Sequence, residues 1–356
     1  MRKKWLRRTL LLSALAFIAG TALFCSPGFV LRAGIEEAKI LSRRQPIPEV
    51  IASPRTPEPT RSKLELVRMA RTFADRELDL DVGDSYTTYS RVDSDTLLLV
   101  VSGSRRDAFR PVTWWFPIVG RVPYKGYFNH GAALAEARRL EAEGYDTHVR
   151  PAGAFSTLGF FNDPLLSTVL RYTDVSLAAT VIHEVTHNTT YIPSQAAFNE
   201  SFASFVGDRG AIALFCGVEG EEGERCRAAR TAWEDAVVFG GALQSLVADL
   251  EAVYGRDDLS SEQKVARRDG VIDAWREDFA RDVAPRLRTG LRTFHERPIN
   301  NATLIGTRLY YDRLELFEEV YRSLGLPFRE AIHRMMEAAE SSPDDPFGAV
   351  ARLATG

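Results

Sequence analysis

Two histidines, His183 and His187, lie four residues apart with Glu184 between them, in the stretch VIHEVTHNTTYIPSQAAFNESFASFVGDRG that runs from Val181 to Gly210. On a helix that spacing is about one turn, so both imidazoles project from one face, the geometry two ligands of one metal ion require. Glu184 falls on a neighbouring part of the surface. From there it reaches a water on that ion without being a ligand, which is the division of labour in a His-Glu-x-x-His helix. A catalytic zinc needs a third protein ligand and a position left for water. Glu200 comes thirteen residues after His187, beyond a break at Tyr191-Ile192-Pro193 that lets the chain reverse. A second helix can then lie against the first and bring the Glu200 carboxylate to the two imidazoles. One Zn2+ held by His183, His187 and Glu200 would bring the pKa of its water toward neutrality. Glu184 would take the proton as that water attacks a carbonyl, and pass it to the leaving amine. The expected substrate is a peptide.

The elements around these residues follow from periodicity. VSLAATVIHEVTH reads as a helix, with Asp174 or Ser176 as its cap. QAAFNESFASFVGDRGAIALF reads as a second helix that Ser194 can cap. Val181, Ile182 and Val185 on the first, with Phe198, Phe202 and Phe205 on the second, supply the buried faces such a pair needs. FSTLGFFNDPLL, just before the first helix, reads as a strand, in the place where zinc peptidases tend to pair with an extended substrate. Upstream, KLELVRMARTFADREL is helical, DTLLLVVSG is a strand, and VTWWFPIVGRVPYKGYF is a bent strand or hairpin. HGAALAEARRLEAEGYD is a helix stopped by Gly144, and THVRPAG a strand after it, so a packed α/β layer is expected. From about Glu222 to Phe294 the pattern is a long antiparallel helical hairpin, and the remainder is again helical. His130, His148, His295 and His333 read as capping, surface or solvated residues, because no partner stands at ligand spacing.

With 356 residues, 45% hydrophobic and 26% charged, the chain has an ordinary globular composition. A formal net charge of -3 and the lack of a basic stripe argue against nucleic acid as a partner. At the N-terminus, MRKKWLRR carries five positive charges in eight residues, and Thr9 to Leu31 carries none. A basic flank before an apolar run is an export signal, long enough to remain as an anchor. The expectation is a membrane contact through residues 1–32, with the rest of the chain on the periplasmic side of the inner membrane of a bacterial envelope. Cys25 stands where a lipoprotein signal has its acylated cysteine, but Phe24 precedes it where a small residue is normal. Residues 33–61, with Pro46, Pro48, Pro54, Pro57 and Pro59, read as an extended, semi-stiff spacer. The body is expected over 62–356, an α/β part with the metal motif at 62–215 and a helical part at 216–356. Cys216 and Cys226 bracket an acidic loop and either pair in an oxidising compartment or hold zinc. Nothing in the sequence speaks to oligomeric state.

Across most of its length the sequence resembles a bacterial family of predicted zinc aminopeptidases of the gluzincin type. The resemblance lies in RRQPI, TWWFPIVGRVPYKGYF, FSTLGFFNDPLLSTVL, VIHEVTHNTTYI, AFNESFASFV and INNATLIGTRLYYDRLELF, in that order. NESFAS is also similar to the NEGFAS element of the aminopeptidase N family, at a shorter distance from the second histidine. The resemblance implies an α+β, zincin-like core with a small sheet and an active-site helix pair, followed by the helical hairpin and C-terminal helices. It implies zinc at His183, His187 and Glu200, with Glu184 as base. Tyr310 matches a tyrosine that follows the family's Asn-Asn-Ala element, here Asn300, Asn301 and Ala302, and a tyrosine hydroxyl suits an oxyanion donor. Asn300 and Asn301 also suit helix capping. The Gly-x-Met-Glu-Asn element that grips a substrate's free amine in aminopeptidase N is not visible. Two other readings share these residues: a non-catalytic envelope binding or scaffold protein with a structural metal, and a zinc amidase acting on cell-wall material.

Overall fold

The computed structural model describes residues 39–92, 96–116, 120–152 and 164–354. The chain forms two units, 1–44 and 45–356. Of the first, residues 39–44 are described, and 39–42 are helical. The second opens with β1 (Gln45–Pro46), α1 (Ile47–Ala52) and α2 (Glu58–Arg76). The stretch expected to be an extended spacer up to residue 61 therefore holds two helix starts. The prolines stand at the first positions of both helices, where a missing N–H costs nothing. Leu64, Val67, Ala70 and Ala74 of α2 are buried, as their spacing predicts.

Next come β2 (Thr88–Ser90), β3 (Leu98–Arg105), β4 (Trp114–Phe116), β5 (Gly120–Val122), β6 (Tyr124–Tyr127), α3 (His130–Ala142), β7 (Tyr145–Ala152) and β8 (Leu165–Leu166). They form three small sheets rather than one layer. β3 lies between antiparallel β6 and β7, β2 lies between antiparallel β1 and parallel β8, and β4–β5 is a hairpin. α3 ends as expected at Gly144, whose φ of +85° only glycine adopts without strain. Residues 153–163, which hold most of the expected substrate-pairing strand, lie outside the described residues.

The helices follow: α4 (Asp174–Thr189), α5 (Ala196–Glu219), α6 (Glu224–Tyr254), α7 (Ser261–Asp278), α8 (Asn301–Tyr311), α9 (Leu314–Leu324), α10 (Phe328–Ser341) and α11 (Pro346–Arg352). The result is an α+β fold with small sheets and long helices, α6 and α7 making the hairpin. Ser260 and Gln263 cap α7 reciprocally. The largest core gathers α2, α4, α5, α9 and α10, and a second fills the hairpin around Phe239, Leu246, Trp275 and Phe279. In the first core Phe198, Phe202 and Phe205 of α5 surround Phe317 of α9, with ring centroids 5.9, 5.4 and 5.5 Å away. Cys216 and Cys226 form a disulfide that ties the end of α5 to the start of α6, so of the two readings of that pair the bonded one holds.

The expected membrane contact through the N-terminal segment is corrected. Among the described residues, the helices long and apolar enough to cross a membrane are α5 and α6, in mid-chain. Residues 1–38 lie outside the described residues. The physical reason is that length and apolarity alone do not distinguish a spanning helix from a core helix. By that measure α5 and α6 qualify as the N-terminal run does, and α5 buries most of its apolar surface inside the protein.

Candidate metal centre and its cleft

α4 starts at Thr173, whose hydroxyl accepts from the Ser176 N–H. The cap is thus one residue before Asp174 and three before Ser176, the expected candidates. The helix runs unbroken through both histidines and ends at Thr190, after which Tyr191–Gln195 turn the chain back. Ser194 does not cap α5; it adopts φ +67° inside the turn, and Gln195 takes the cap position. Asn199 fastens this turn, its amide accepting from the Ile192 N–H at 2.9 Å and donating to the Ile192 carbonyl at 2.8 Å. Because Phe198, Phe202 and Phe205 face the core, the stripe Glu200, Ser204 and Gly207 on the other side of α5 faces α4.

The two helices approach closely there. A Cβ added at Gly207 would lie 2.6 Å from the Ala179 carbonyl oxygen and 3.1 Å from the His183 Cβ. Backbone cannot give way as a side-chain tip can, so Gly207→Ala should push α5 off α4 beside a candidate ligand. We expect it to lower stability by about 2 kcal/mol and to weaken metal affinity. Denaturation and zinc titration check both.

The turn brings His183, His187 and Glu200 together, with one ligand atom of each within 4.8 Å of the others. The two Nε2 atoms are 3.2 Å apart, and Glu200 Oε2 is 3.3 Å from one and 3.8 Å from the other. Two donors about 2.05 Å from a tetrahedral zinc are about 3.3 Å apart. These separations are therefore close to the edges of such a polyhedron, and the donor set of two imidazoles and a carboxylate suits zinc. Electrostatics agrees. Burial would raise the Glu200 carboxyl, but the two imidazoles hold it well below the usual range. Burial would lower His183, but Glu200, Glu184 and Asp208 outweigh it and raise its affinity for a proton. Positive charge is favoured at the point where the three side chains meet. A second group, Cys216, Glu221 and Cys226, also lies within such reach, but its sulfurs are joined to each other.

Residues 28–345 match the family described as "Putative aminopeptidase". The chain belongs to that family. No curated protein and no solved structure matches it.

The fold of this family member places a cleft of about 400 Å³ against this triad, lined by α4 (Ser176, Thr180, His183, Glu184), α5 (Ser204, Asp208), the end of β7 and Tyr310 of α8. Glu184 therefore faces the cleft, as its place beside His183 predicts. Tyr310 stacks near His183, with ring centroids 6.2 Å apart. Burial and the Glu200 charge, opposed by Arg150, push its hydroxyl up to about 12, so it stays a neutral donor near pH 7. Asn300 caps α8 by accepting from the Thr303 N–H, while Asn301 is fully buried and donates to the Arg105 carbonyl.

Several residues of the cleft and of the triad's surroundings escape the sequence reading. Arg150 donates to the Tyr310 hydroxyl at 3.0 Å and lies over its ring. Tyr124 donates to Glu200 Oε1 at 3.3 Å, and burial with the Glu200 charge raises its own hydroxyl well above the ordinary range. Burial, opposed by His183, pushes Asp208 up to about 6. Asp208 and Ser204 continue the Glu200 stripe at helical spacing, a signal available in the sequence. Arg150 and Tyr124 carry no such signal, since only sheet topology brings their strands to the cleft and to Glu200. The other histidines stand apart: His333 contacts the Leu78 carbonyl at 2.9 Å, His295 packs on Phe279, and His130 begins α3.

Proposed function

We propose that this family member is a zinc-dependent metallopeptidase of the gluzincin type, with a zincin-like core, and that it works outside the cytoplasm. The convergence of His183, His187 and Glu200 at near-tetrahedral spacing, beside a cleft that also holds Glu184, carries the reading. The Cys216–Cys226 disulfide supports an oxidising compartment.

Zinc held by the three side chains would supply a Lewis acid and a water acidic enough to react near neutral pH. Glu184 is the base: it takes the proton from the attacking water and delivers it to the amine that leaves. Tyr310 donates its O–H toward the developing oxyanion. Arg150, which donates to the same hydroxyl, makes that oxygen a better donor and holds the ring in place. Tyr124 donates to one oxygen of Glu200 and would hold that carboxylate in place as a ligand.

Metal analysis of the purified protein, combined with a peptide-library digest, tests the whole reading. We expect one zinc per chain and hydrolysis that a chelator abolishes and zinc restores. A protein without zinc that leaves every peptide intact ends it. Tyr310→Phe should lower kcat about 100-fold with KM little changed, the signature of a donor used in the transition state. Steady-state kinetics on any cleaved peptide reads this directly.

A further inference from the structure

A peptidase that trims from the amino terminus must hold a free α-ammonium near its metal. We propose that Asp208 accepts the α-ammonium of the substrate, so that the cleft selects peptides with an unblocked amino terminus. This rests on the peptidase reading above.

Asp208 lines the same cleft as His183 and Glu184. It follows Gly207, where α5 packs tightly on Ala179 and His183 of α4, and it lines the cleft beside the His183 turn, close enough to interact with that imidazole. Among the described residues it makes no hydrogen bond and no ion pair. Of the other charged groups at the cleft, Glu184 serves as the proposed base and two are engaged by neighbours. Arg150 is held by Tyr310, and Glu200 by Tyr124 and the two histidines. Taking a carboxylate out of water without a partner is costly, and a partner that brings positive charge and N–H donors removes that cost. An ammonium does both. Ser176, Thr180 and Ser204 add hydroxyls along the same cleft. The position also fits the reaction. In the residue before the scissile bond the α-nitrogen is two bonds from the carbonyl carbon that is attacked, so its anchor must stand close to the metal ligands without being one.

Two sources of ammonium exist, a chain terminus and a lysine side chain. The purified, zinc-loaded protein should be assayed on three peptides: a neutral peptide, the same peptide N-acetylated, and an N-acetylated peptide with lysine beside the scissile bond. Wild type should cleave the free peptide at least about 100-fold better than either acetylated one. Asp208→Asn should lower kcat/KM on the free peptide about 100-fold, while zinc content and the slow cleavage of the acetylated peptides stay unchanged. Asp208→Glu should recover part of the loss, which guards against a folding artefact.

Equal cleavage of free and acetylated peptides by wild type overturns the proposal. So does an Asp208→Asn loss that falls equally on all three, or one that appears as lost zinc, which would make Asp208 a support for His183. A loss confined to the lysine peptide would assign Asp208 to side-chain selection instead. Wild type that binds no zinc and cleaves nothing would take down the peptidase reading itself, and this proposal with it.

Discussion

Glu184→Gln should lower kcat/KM on the order of 1000-fold while the protein keeps its zinc. The substitution keeps size and hydrogen-bonding reach but removes the basic lone pair that takes the proton. Glu184 lies beside His183 and lines the cleft, yet it is not among the three side chains whose ligand atoms converge. Metal affinity and catalysis should therefore separate in this variant. Glu200→Gln is the contrast. There the anionic donor is lost, and zinc with it, so activity and metal content fall together. A Glu184→Gln protein that hydrolyses peptides at the wild-type rate would leave the proposed mechanism without a base. Metal analysis and kinetics on the same preparation decide the matter.

Arg268→Ala should destabilise the body by about 3–4 kcal/mol. Arg268 lies on α7, only 5% exposed, and pairs at 2.7 Å with Asp146 of β7, itself 8% exposed. The guanidinium also donates to the Arg106 carbonyl. Asp146 accepts in addition from the Asn301 N–H at 3.1 Å, in the first turn of α8, and the Asn301 side chain accepts from Tyr254 at 2.7 Å. One buried cluster thus joins the sheet, both arms of the hairpin and the helix that carries Tyr310. Removing Arg268 leaves the Asp146 carboxylate inside the protein with only an N–H and the half-exposed Arg106 for company. Breaking such a pair costs more than the pair contributes, because the remaining charge stays desolvated. Chemical denaturation should show the loss, with a fall in Tm of about 5–6 °C. The double variant Asp146→Asn with Arg268→Met should recover part of it, since no charge is then stranded. A single variant as stable as wild type would refute the account.

The two predictions depend on different kinds of information. His183, Glu184 and His187 stand on one helix, so their mutual placement follows from a 3.6-residue period and is legible in sequence. The turn at Ile192-Pro193 and the aromatic stripe of α5 likewise say that a second helix returns and which side it buries. That is enough to direct Glu200 toward the histidines. The strands and the hairpin are legible for the same reason: their patterns are local.

What remained hidden depends on chain segments far apart in sequence. The caps at Thr173 and Gln195, the helices inside the proline-rich stretch, and the division into three small sheets are decided by what each segment packs against. Arg150 meets Tyr310 across 160 residues, and Arg268 meets Asp146 across 122. No periodicity encodes such a pairing. An apolar helix also looks the same to a sequence whether lipid or protein covers it, which is why α5 and α6 match a membrane span in composition. Local spacing determined which atoms could share a metal ion. Tertiary packing decided which charges, hydroxyls and walls surround them, because burial and distance, the quantities that set electrostatic strength, exist only once the chain has closed on itself.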